Sequence, residues 1–297
     1  MSITIRWACD TRQGPRPRNE DSAQVEPGLA AAILADGMGG AAGGKEASAL
    51  SIAAAVEFLR RRLPAHTPPA DVPERLRQLV ADVNRRVYDK SMSDPTLHGM
   101  GSTLVVLLTR GGRYFCVNVG DSRAYLLRGD AVLQISKDHS LVQERVDAGL
   151  ITAAEVALQP DRNVLTRAIG TTAEVEAYLV EEEVRPGDVF ILTSDGVHGA
   201  IEEAQFAAAG GAESPADAAR LLVEEAVARG TRDNATAAVV KVETAAPEES
   251  LEALDQVLAY APPHKARPRR SSGATRWLLA GAGLLLLATV LTVLSLR

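Results

Sequence analysis

Residues 34–40, Leu-Ala-Asp-Gly-Met-Gly-Gly, constrain this chain most, because they join a short apolar run to a glycine-rich turn. The apolar run, residues 30–35, predicts a buried strand rather than a helix. An aspartate just past such a strand lies at the rim of a sheet, and the glycines allow a backbone carbonyl to approach a ligand. A carboxylate beside a carbonyl favours magnesium or manganese over zinc.

An Asp-Gly pair alone is an ordinary turn signal. This chain, however, repeats acidic residues at predicted strand ends. The further acidic positions are Glu20, Asp21, Asp121, Asp195 and Asp233. The runs before Asp121 and Asp195, and the run after Asp233, are apolar and rich in β-branched or aromatic residues. The repetition favours a functional site over unrelated turns.

The remaining pattern predicts an α+β fold, a sandwich of two antiparallel sheets flanked by α-helices. The predicted strands are 2–9, 102–109, 114–119, 123–127, 132–135, 189–193 and 235–242, and the predicted helices are 45–63, 76–87, 141–148 and 216–229. The closely spaced strands between 102 and 135 predict one antiparallel meander. Residues 140–170 predict a loop-rich flap beside a site.

Composition excludes some functions. The 297 residues are 46% hydrophobic, enough for one sizeable domain. Residues 1–255 contain 26 basic and 38 acidic residues, a formal net charge of −12. This charge argues against nucleic-acid binding, and it would repel phosphorylated substrates unless bound cations reversed the local field. Cys9 and Cys116 are predicted to be buried, reduced thiols of a cytosolic domain, and residues 1–10 lack a secretory signal.

The C-terminal part differs in composition from the rest. After Asp255 there are six bases and no acid, and Trp277–Leu296 is a run of 20 uncharged residues. Such a run spans about 30 Å as a helix, the thickness of a bilayer core. Five of the bases precede it, which predicts a single-pass tail anchor with a cytoplasmic catalytic domain. The predicted organisation is a catalytic domain at 1–243, a linker with a short helix and a basic juxtamembrane segment at 244–276, and a transmembrane helix at 277–296.

Eight motifs occur in an order that resembles a known family. They are Arg16, 19–21, 36–40, 101–103, 120–123, 138–140, 194–196 and 232–234. Together they resemble the metal-dependent protein serine/threonine phosphatases, the PPM or type 2C family, and especially its bacterial single-domain members. The resemblance covers residues 3–243. It implies two stacked antiparallel sheets flanked by helices, with a dinuclear metal site at one end.

The resemblance also implies roles for the acidic residues. Asp36 would bridge two Mn²⁺ or Mg²⁺ ions, and the Gly37 carbonyl would be a ligand to one of them. Asp195 and Asp233 would complete the shell of the other ion. Two cations about 3.5–4 Å apart neutralise a phosphomonoester and generate hydroxide near neutral pH, so attack is in line and needs no phospho-enzyme.

The resemblance gives supporting roles to the neighbouring residues. Glu20 would act mainly through bound water, Asp21 would orient that shell, and Asp121 would hold a third, weaker ion together with Asp195. Arg16 would bind the substrate phosphate, since a guanidinium fork suits phosphate bidentately. Arg18 is the alternative residue for binding the phosphate, and only its spacing from Glu20 argues against it.

Met38 departs from the family pattern, since eukaryotic relatives often have a histidine there that is proposed to protonate the leaving alcohol. A metal-bound water or another group must replace it, and His198 is one candidate. His139 is interpreted as structural rather than as part of a hydrolase triad. Gly39–Lys45 imitates a phosphate-binding P-loop, but Glu46 replaces the required Ser or Thr, so nucleotide binding is rejected.

These observations predict a membrane-tethered phosphatase for phosphoserine and phosphothreonine in proteins, opposing membrane serine/threonine kinases. Two alternatives stay open. One is a phosphoprotein-binding pseudophosphatase, although degenerate relatives lose metal aspartates that are present here. The other is the same chemistry on a small phosphoester, because substrate choice lies in the flap and surface loops.

Overall fold

The computed structural model describes residues 3–244, in which continuous apolar runs form strands covered on both faces. The strands are β1 (Ile3–Arg12), β2 (Asp21–Glu26), β3 (Ala31–Met38), β4 (Gly101–Ser102), β5 (Leu104–Arg110), β6 (Arg113–Val119), β7 (Arg123–Arg128), β8 (Ala131–Gln134), β9 (Tyr178–Glu183), β10 (Val189–Thr193) and β11 (Ala235–Thr244). The helices are α1 (Gly40–Arg62), α2 (Val72–Ser93), α3 (Leu141–Asp147), α4 (Asp195–His198), α5 (Glu203–Gly210) and α6 (Pro215–Ala228).

The strands form two sheets in which neighbouring strands are antiparallel. The first sheet has the order β1-β11-β10-β7-β8. The second has the order β2-β3-β5-β6-β9, with β4 also paired to β3. The prediction of an α+β fold with two antiparallel sheets flanked by helices is confirmed.

Alternating side chains of the interior strands enter different apolar layers, which explains why these strands lack a polar face. In β3, Ile33 packs among residues of α1 and α2, whereas Leu34 packs between the two sheets. In β10, Ile191 packs with α6 and Leu192 packs between the sheets. The molecule is therefore built in four layers, helix–sheet–sheet–helix, with β3 and β10 in its interior.

The prediction of one meander between 102 and 135 is wrong. Strands β5 and β6 form a hairpin in the second sheet, whereas β7 and β8 form one in the first. The chain passes from one sheet to the other at Gly120–Ser122. Strand spacing alone gives the hairpins but does not say which sheet each one joins.

Polar edge elements and glycine-rich segments account for the other differences. The strands β2 and β9 and the helix α5 were not predicted, since both strands are edge strands rich in polar residues. Helix α1 begins at Gly40 rather than Lys45, although glycine is a poor helix former. Cys9 is exposed on β1, contrary to prediction, while Cys116 is buried as predicted.

Among residues 3–244, no helix has both the length and the apolar character that a bilayer crossing requires. The predicted transmembrane helix, Trp277–Leu296, lies outside the described residues. The predicted linker, 244–276, also lies outside them apart from Thr244, the last residue of β11.

Candidate metal centre and phosphate cavity

One end of the sandwich opens into a cavity of about 840 Å³. It is lined by every residue of the predicted site except Asp21. The lining residues from that set are Arg16, Glu20, Asp36, Gly37, Asp121, Asp195 and Asp233. Asp21 is buried behind them, with 8% of its surface exposed. Five segments that are distant in sequence therefore meet at one place.

The β2–β3 pairing places two of the carboxylates side by side. Asp21 and Asp36 are directly opposite each other in the antiparallel register. The backbone of Asp36 is fixed from the other side, because its N–H donates to Thr103 Oγ1 at 2.8 Å and its carbonyl accepts from Ser102 Oγ at 2.9 Å. Thr103 also lines the cavity. Its role was not assigned from the sequence, although it belongs to the Gly-Ser-Thr motif.

The glycines of the opening turn permit a close approach that no other residue would allow. A Cβ on Gly37 would lie 1.9 Å from the Gly44 carbonyl oxygen and 2.8 Å from the Glu20 carbonyl oxygen. A Cβ on Gly44 would lie 2.7 Å from Glu20 Oε2. The start of α1 is therefore glycine-rich for packing reasons, which override helix propensity. As a result, the Glu20 carboxylate and the Gly37 carbonyl both lie against Gly44, close to Asp36.

Asp195 is the first residue of α4, immediately after β10 and Ser194. Ser194 Oγ donates to Asp21 Oδ2 at 2.7 Å and accepts from the Thr236 N–H at 3.1 Å. A Cβ on Gly196 would lie 1.9 Å from the Asn234 carbonyl oxygen. This contact brings α4 against the segment that carries Asp233.

Asn234 is a second residue that the sequence reasoning left without a role. Its Oδ1 accepts from the Glu20 N–H at 2.8 Å, and its Nδ2 donates to the carbonyls of Gln13 and Arg18 at 2.7 and 2.8 Å. Asn234 is 5% exposed. It therefore fixes the loop that carries Arg16 against the first residues of β11, and its position beside Asp233 was the available signal.

Arg16 contacts a predicted metal ligand in this structure. Its Nη2 donates to Asp233 Oδ2 at 2.6 Å, and its Nε donates to the Arg232 carbonyl at 3.0 Å. The Arg16 side chain is 53% exposed. Arg18 lines the same cavity. Because both arginines line it, their position at the cavity does not show which of them would bind a phosphate.

The buried carboxylates destabilise one another's charged forms. Burial raises the pKa of Asp36 well above its ordinary value, and the charges of Asp21 and Asp195 raise it further. Burial raises the pKa of Asp21 to about 6, against hydrogen bonds from Thr236 and Ser194. Burial and the neighbouring Asp195 raise the pKa of Asp121 to about 7. Burial, then the charge of Asp233, raises the pKa of Asp195. Such a group of acids is stable in its ionised form only with added positive charge.

Two further observations fit divalent cations. Asp21 Oδ1 and Asp195 Oδ1 are buried and have no hydrogen-bond partner among residues 3–244. All of the donors are oxygens, the ligands that Mg²⁺ and Mn²⁺ prefer. Within the same residues, no three acidic, histidine or cysteine side chains are already arranged as a closed metal cluster.

The other sequence candidates lie elsewhere. His198 is hydrogen-bonded to Thr193 Oγ1 at 3.0 Å and does not line the cavity. His139 is buried, and its Nδ1 accepts from the Gly120 N–H. Lys45 is exposed on α1, so Gly39–Lys45 forms the N-cap and first turn of this helix rather than a phosphate-binding loop.

The predicted flap forms one wall of the cavity. It begins with α3, which is followed by a 3₁₀ turn at Ala153–Leu158. We use "flap" for residues 141–163 and "strip" for residues 164–169, which follow it. Four residues of the strip line the cavity and were not among the predicted site residues: Leu165, Thr166, Arg167 and Ala168.

Comparisons with known proteins agree with this geometry. The profile of the protein phosphatase 2C family matches residues 16–239. The serine/threonine protein phosphatase PstP of Mycobacterium tuberculosis is 37% identical over 243 residues, which are 82% of this chain and 46% of that protein. The chain thus spans about half the length of this relative. The serine/threonine phosphatase stp of Listeria welshimeri is 30% identical over 230 residues, covering 76% of this chain and 91% of that protein.

A solved structure is similar over the same region. The catalytic domain of PstP in complex with two manganese ions superposes with a TM-score of 0.73 at 35% identity, covering 82% of this chain and all of that one. The fold, the oxygen-lined cavity and the family match point to the same conclusion. The chain belongs to the protein phosphatase 2C family.

Proposed function

We propose that this protein is a metal-dependent phosphatase that hydrolyses phosphoserine and phosphothreonine in other proteins. The observation that carries the proposal is the group of mutually repelling carboxylates that lines one cavity with Arg16. The relatives named as serine/threonine phosphatases, one of them solved with two manganese ions, support it.

Each residue has a task in this proposal. Asp36, the Gly37 carbonyl, Asp195 and Asp233 would hold two Mn²⁺ or Mg²⁺ ions. Such ions neutralise the charge of a phosphomonoester and lower the pKa of water. Glu20 would act through water, and Asp21, fixed by Ser194, would orient that water.

Arg16 would bind the phosphate. Its exposed guanidinium can leave Asp233 and turn to a phosphate, which it fits bidentately. Asp121, whose pKa is raised by the nearby Asp195, would hold a third and weaker ion. Met38 at the cavity carries no proton to donate, so the leaving alcohol would take its proton from water in the site.

The first test is phosphate release by the full chain from a phosphothreonine peptide and from a small aryl phosphate, with manganese, with magnesium and with chelator. We expect activity on the peptide that requires the metal. The matched control is Asp36→Asn, which keeps the size of the side chain. Metal-dependent release from the small ester alone would instead support a small-molecule phosphatase, and metal binding without turnover would support a phosphoprotein-binding role.

We further propose that Trp277–Leu296 anchors the enzyme to the cell membrane with its catalytic domain in the cytoplasm, opposite membrane serine/threonine kinases. The support is the length of this uncharged run and the basic residues that precede it. A tethered substrate would meet the enzyme at a raised effective concentration. We expect the full chain to dephosphorylate a vesicle-bound phosphoprotein faster than a variant with three leucines of the run replaced by arginine. Equal rates would refute this role of the segment.

A further inference from the structure

His139 joins two parts of the molecule that the proposed mechanism treats separately, the flap and the turn that carries Asp121. The His139 N–H donates to the Gly120 carbonyl at 2.9 Å, and the Gly120 N–H donates back to His139 Nδ1 at 3.2 Å. Both residues are buried. Burial and the positive charge of Arg167 lower the pKa of His139 to about 4, so the neutral ring presents an acceptor to Gly120.

The opposite side of His139 holds the base of the flap. The Thr166 N–H donates to the His139 carbonyl at 2.9 Å, and the Leu141 N–H donates to the Val164 carbonyl at 2.9 Å. Between these two bonds, Ser140 and Leu165 form an antiparallel bridge. The flap therefore leaves and rejoins the fold at one short ladder, and His139 belongs to that ladder.

The two residues before His139 also bind the segment that contains Asp121. Asn118 exchanges two hydrogen bonds with the backbone of Lys137, at 2.7 and 3.2 Å. Arg123 forms a bidentate ion pair with Asp138 at 2.8–3.1 Å. Residues 118–123 are thus tied to residues 137–139 on both sides of Asp121. Gly120 has φ +94°, a backbone conformation that favours glycine in this turn.

We infer that His139 is a positioning residue that couples the flap to Asp121, so that the flap's conformation sets the placement of this carboxylate. The inference rests on the proposed function, because Asp121 matters there as the ligand of the weaker ion. A phosphoprotein that contacts the flap would change how well that ion binds, and the ion would in turn order the flap, since coupling between sites is reciprocal.

The test is direct Mn²⁺ binding, followed by the signal of free Mn²⁺ in electron paramagnetic resonance. His139→Leu leaves the Gly120 N–H without its acceptor, and we expect the weakest-bound ion to lose about 10-fold or more in affinity, as for other outer contacts of metal sites. The tighter ions should be unaffected. His139→Asn, which offers an oxygen near the place of Nδ1, should bind Mn²⁺ like the wild type.

Asn84→Leu is the matched control, because Asn84 fixes the segment that directly follows the strip, residues 170–173. Its Oδ1 accepts from the Gly170 N–H at 2.8 Å, and its Nδ2 donates to the Thr172 carbonyl at 3.0 Å. The Asn84 side-chain hydrogen bonds within residues 3–244 all go to residues 170–173, away from the Asp121 turn. We expect this variant to lose stability without a change in Mn²⁺ binding. An equal weakening in Asn84→Leu, or none in His139→Leu, would overturn the inference.

A second measurement needs no substitution at His139 and no phosphatase activity. Hydrogen exchange of the Leu141 and Thr166 amides should slow when Mn²⁺ is raised to fill the weakest site. The added protection should vanish in Asp121→Asn. Unchanged exchange in the wild type would contradict the coupling even if the enzyme is fully active, and slowed exchange in an inactive protein would leave the coupling intact while refuting the proposed function.

Discussion

An aspartate flanks strand β10 at each end, Asp188 buried and Asp195 half-buried, and the two are in opposite electrostatic situations. Asp188, just before the strand, is 1% exposed, and its two oxygens accept from Arg128 at 2.8 and 2.7 Å. Asp195, just after the strand, has an oxygen without a hydrogen-bond partner among residues 3–244, and its pKa is raised. A buried carboxylate with its own arginine is complete within the chain. One surrounded by other carboxylates needs a cation from outside.

The same contrast holds for the two ends of the sandwich. Near Asp188, Arg128 Nη2 also donates to the Glu183 carbonyl at 2.9 Å, and Lys241 Nζ donates to the Gly210 carbonyl at 2.9 Å. Near Asp195, Asp36 and Asp121 have raised pKa values because charge is buried without such compensation. Locally unfavourable groups that the rest of the fold holds in place are typical of functional sites.

The largest expected effect is a loss of phosphatase activity on substitution of Asp195, which is not expected for Asp188. Asp195→Asn should lower phosphate release by more than about 10³-fold, because losing a metal ligand removes more transition-state stabilisation than losing one hydrogen-bond donor, which costs ~10²–10³-fold. Initial rates on a phosphothreonine peptide, at increasing manganese, measure it. Full activity of this variant at saturating manganese would contradict the metal assignment.

The second prediction reverses the comparison. Asp188→Asn should lower the free energy of unfolding by about 3 kcal/mol, because it leaves Arg128 with a neutral partner in a largely buried ion pair. Its activity per folded molecule should remain. Urea unfolding of Asp188→Asn and Asp195→Asn in chelator measures the difference. If Asp188→Asn is as stable as the wild type, the ion pair with Arg128 does not stabilise the fold.

The third prediction concerns the metal itself. Manganese at about 100 times its dissociation constant should stabilise the wild type by about 2.7 kcal/mol per site. Asp188→Asn should gain the same stabilisation and Asp195→Asn much less of it. Thermal unfolding with and without manganese tests this, with a monovalent salt of equal ionic strength as control. If both variants respond alike, Asp195 is not a ligand.

This comparison also shows what the sequence could predict. The apolar runs and the acidic residues beside them placed most of the interior strands and the site, because burial and turn chemistry are local. The pairing of Asp188 with Arg128 was not predictable, since it joins residues 60 positions apart. The same holds for Asn234, an uncharged residue that acts through backbone groups of a distant loop, and for Thr103.

The fourth prediction compares the arginines at the two ends. Arg128 is 24% exposed and fixed on Asp188, whereas Arg16 is 53% exposed on Asp233 and can exchange its partner for a phosphate. Arg16→Lys keeps the charge but loses the bidentate fork, so kcat/KM for a phosphopeptide should fall by about 10-fold, or ~1.4 kcal/mol. Arg18→Lys is the matched control and should change it less than twofold, roughly. The reverse ranking would move the phosphate contact to Arg18.

The smallest effect is a pH dependence of the metal-free protein. The folded-state pKa of Asp121 is raised to about 7 from an ordinary value of 3.8, so the folded state binds more protons than the unfolded state between these values. Stability contributed by the protonated carboxyl is therefore present at low pH and is lost as the pH rises towards 7. Asp121→Asn removes this titration.

We therefore expect Asp121→Asn, in chelator, to gain stability relative to the wild type as the pH rises from 5 to 8. One pKa unit corresponds to about 1.4 kcal/mol, and relaxation around the charge reduces the full shift, so the gap should widen by about 1 kcal/mol. Urea unfolding at each pH measures it. A constant gap for Asp121→Asn would mean that its charge is compensated within the chain as well, and the contrast between the two ends of the sandwich would then not extend to Asp121.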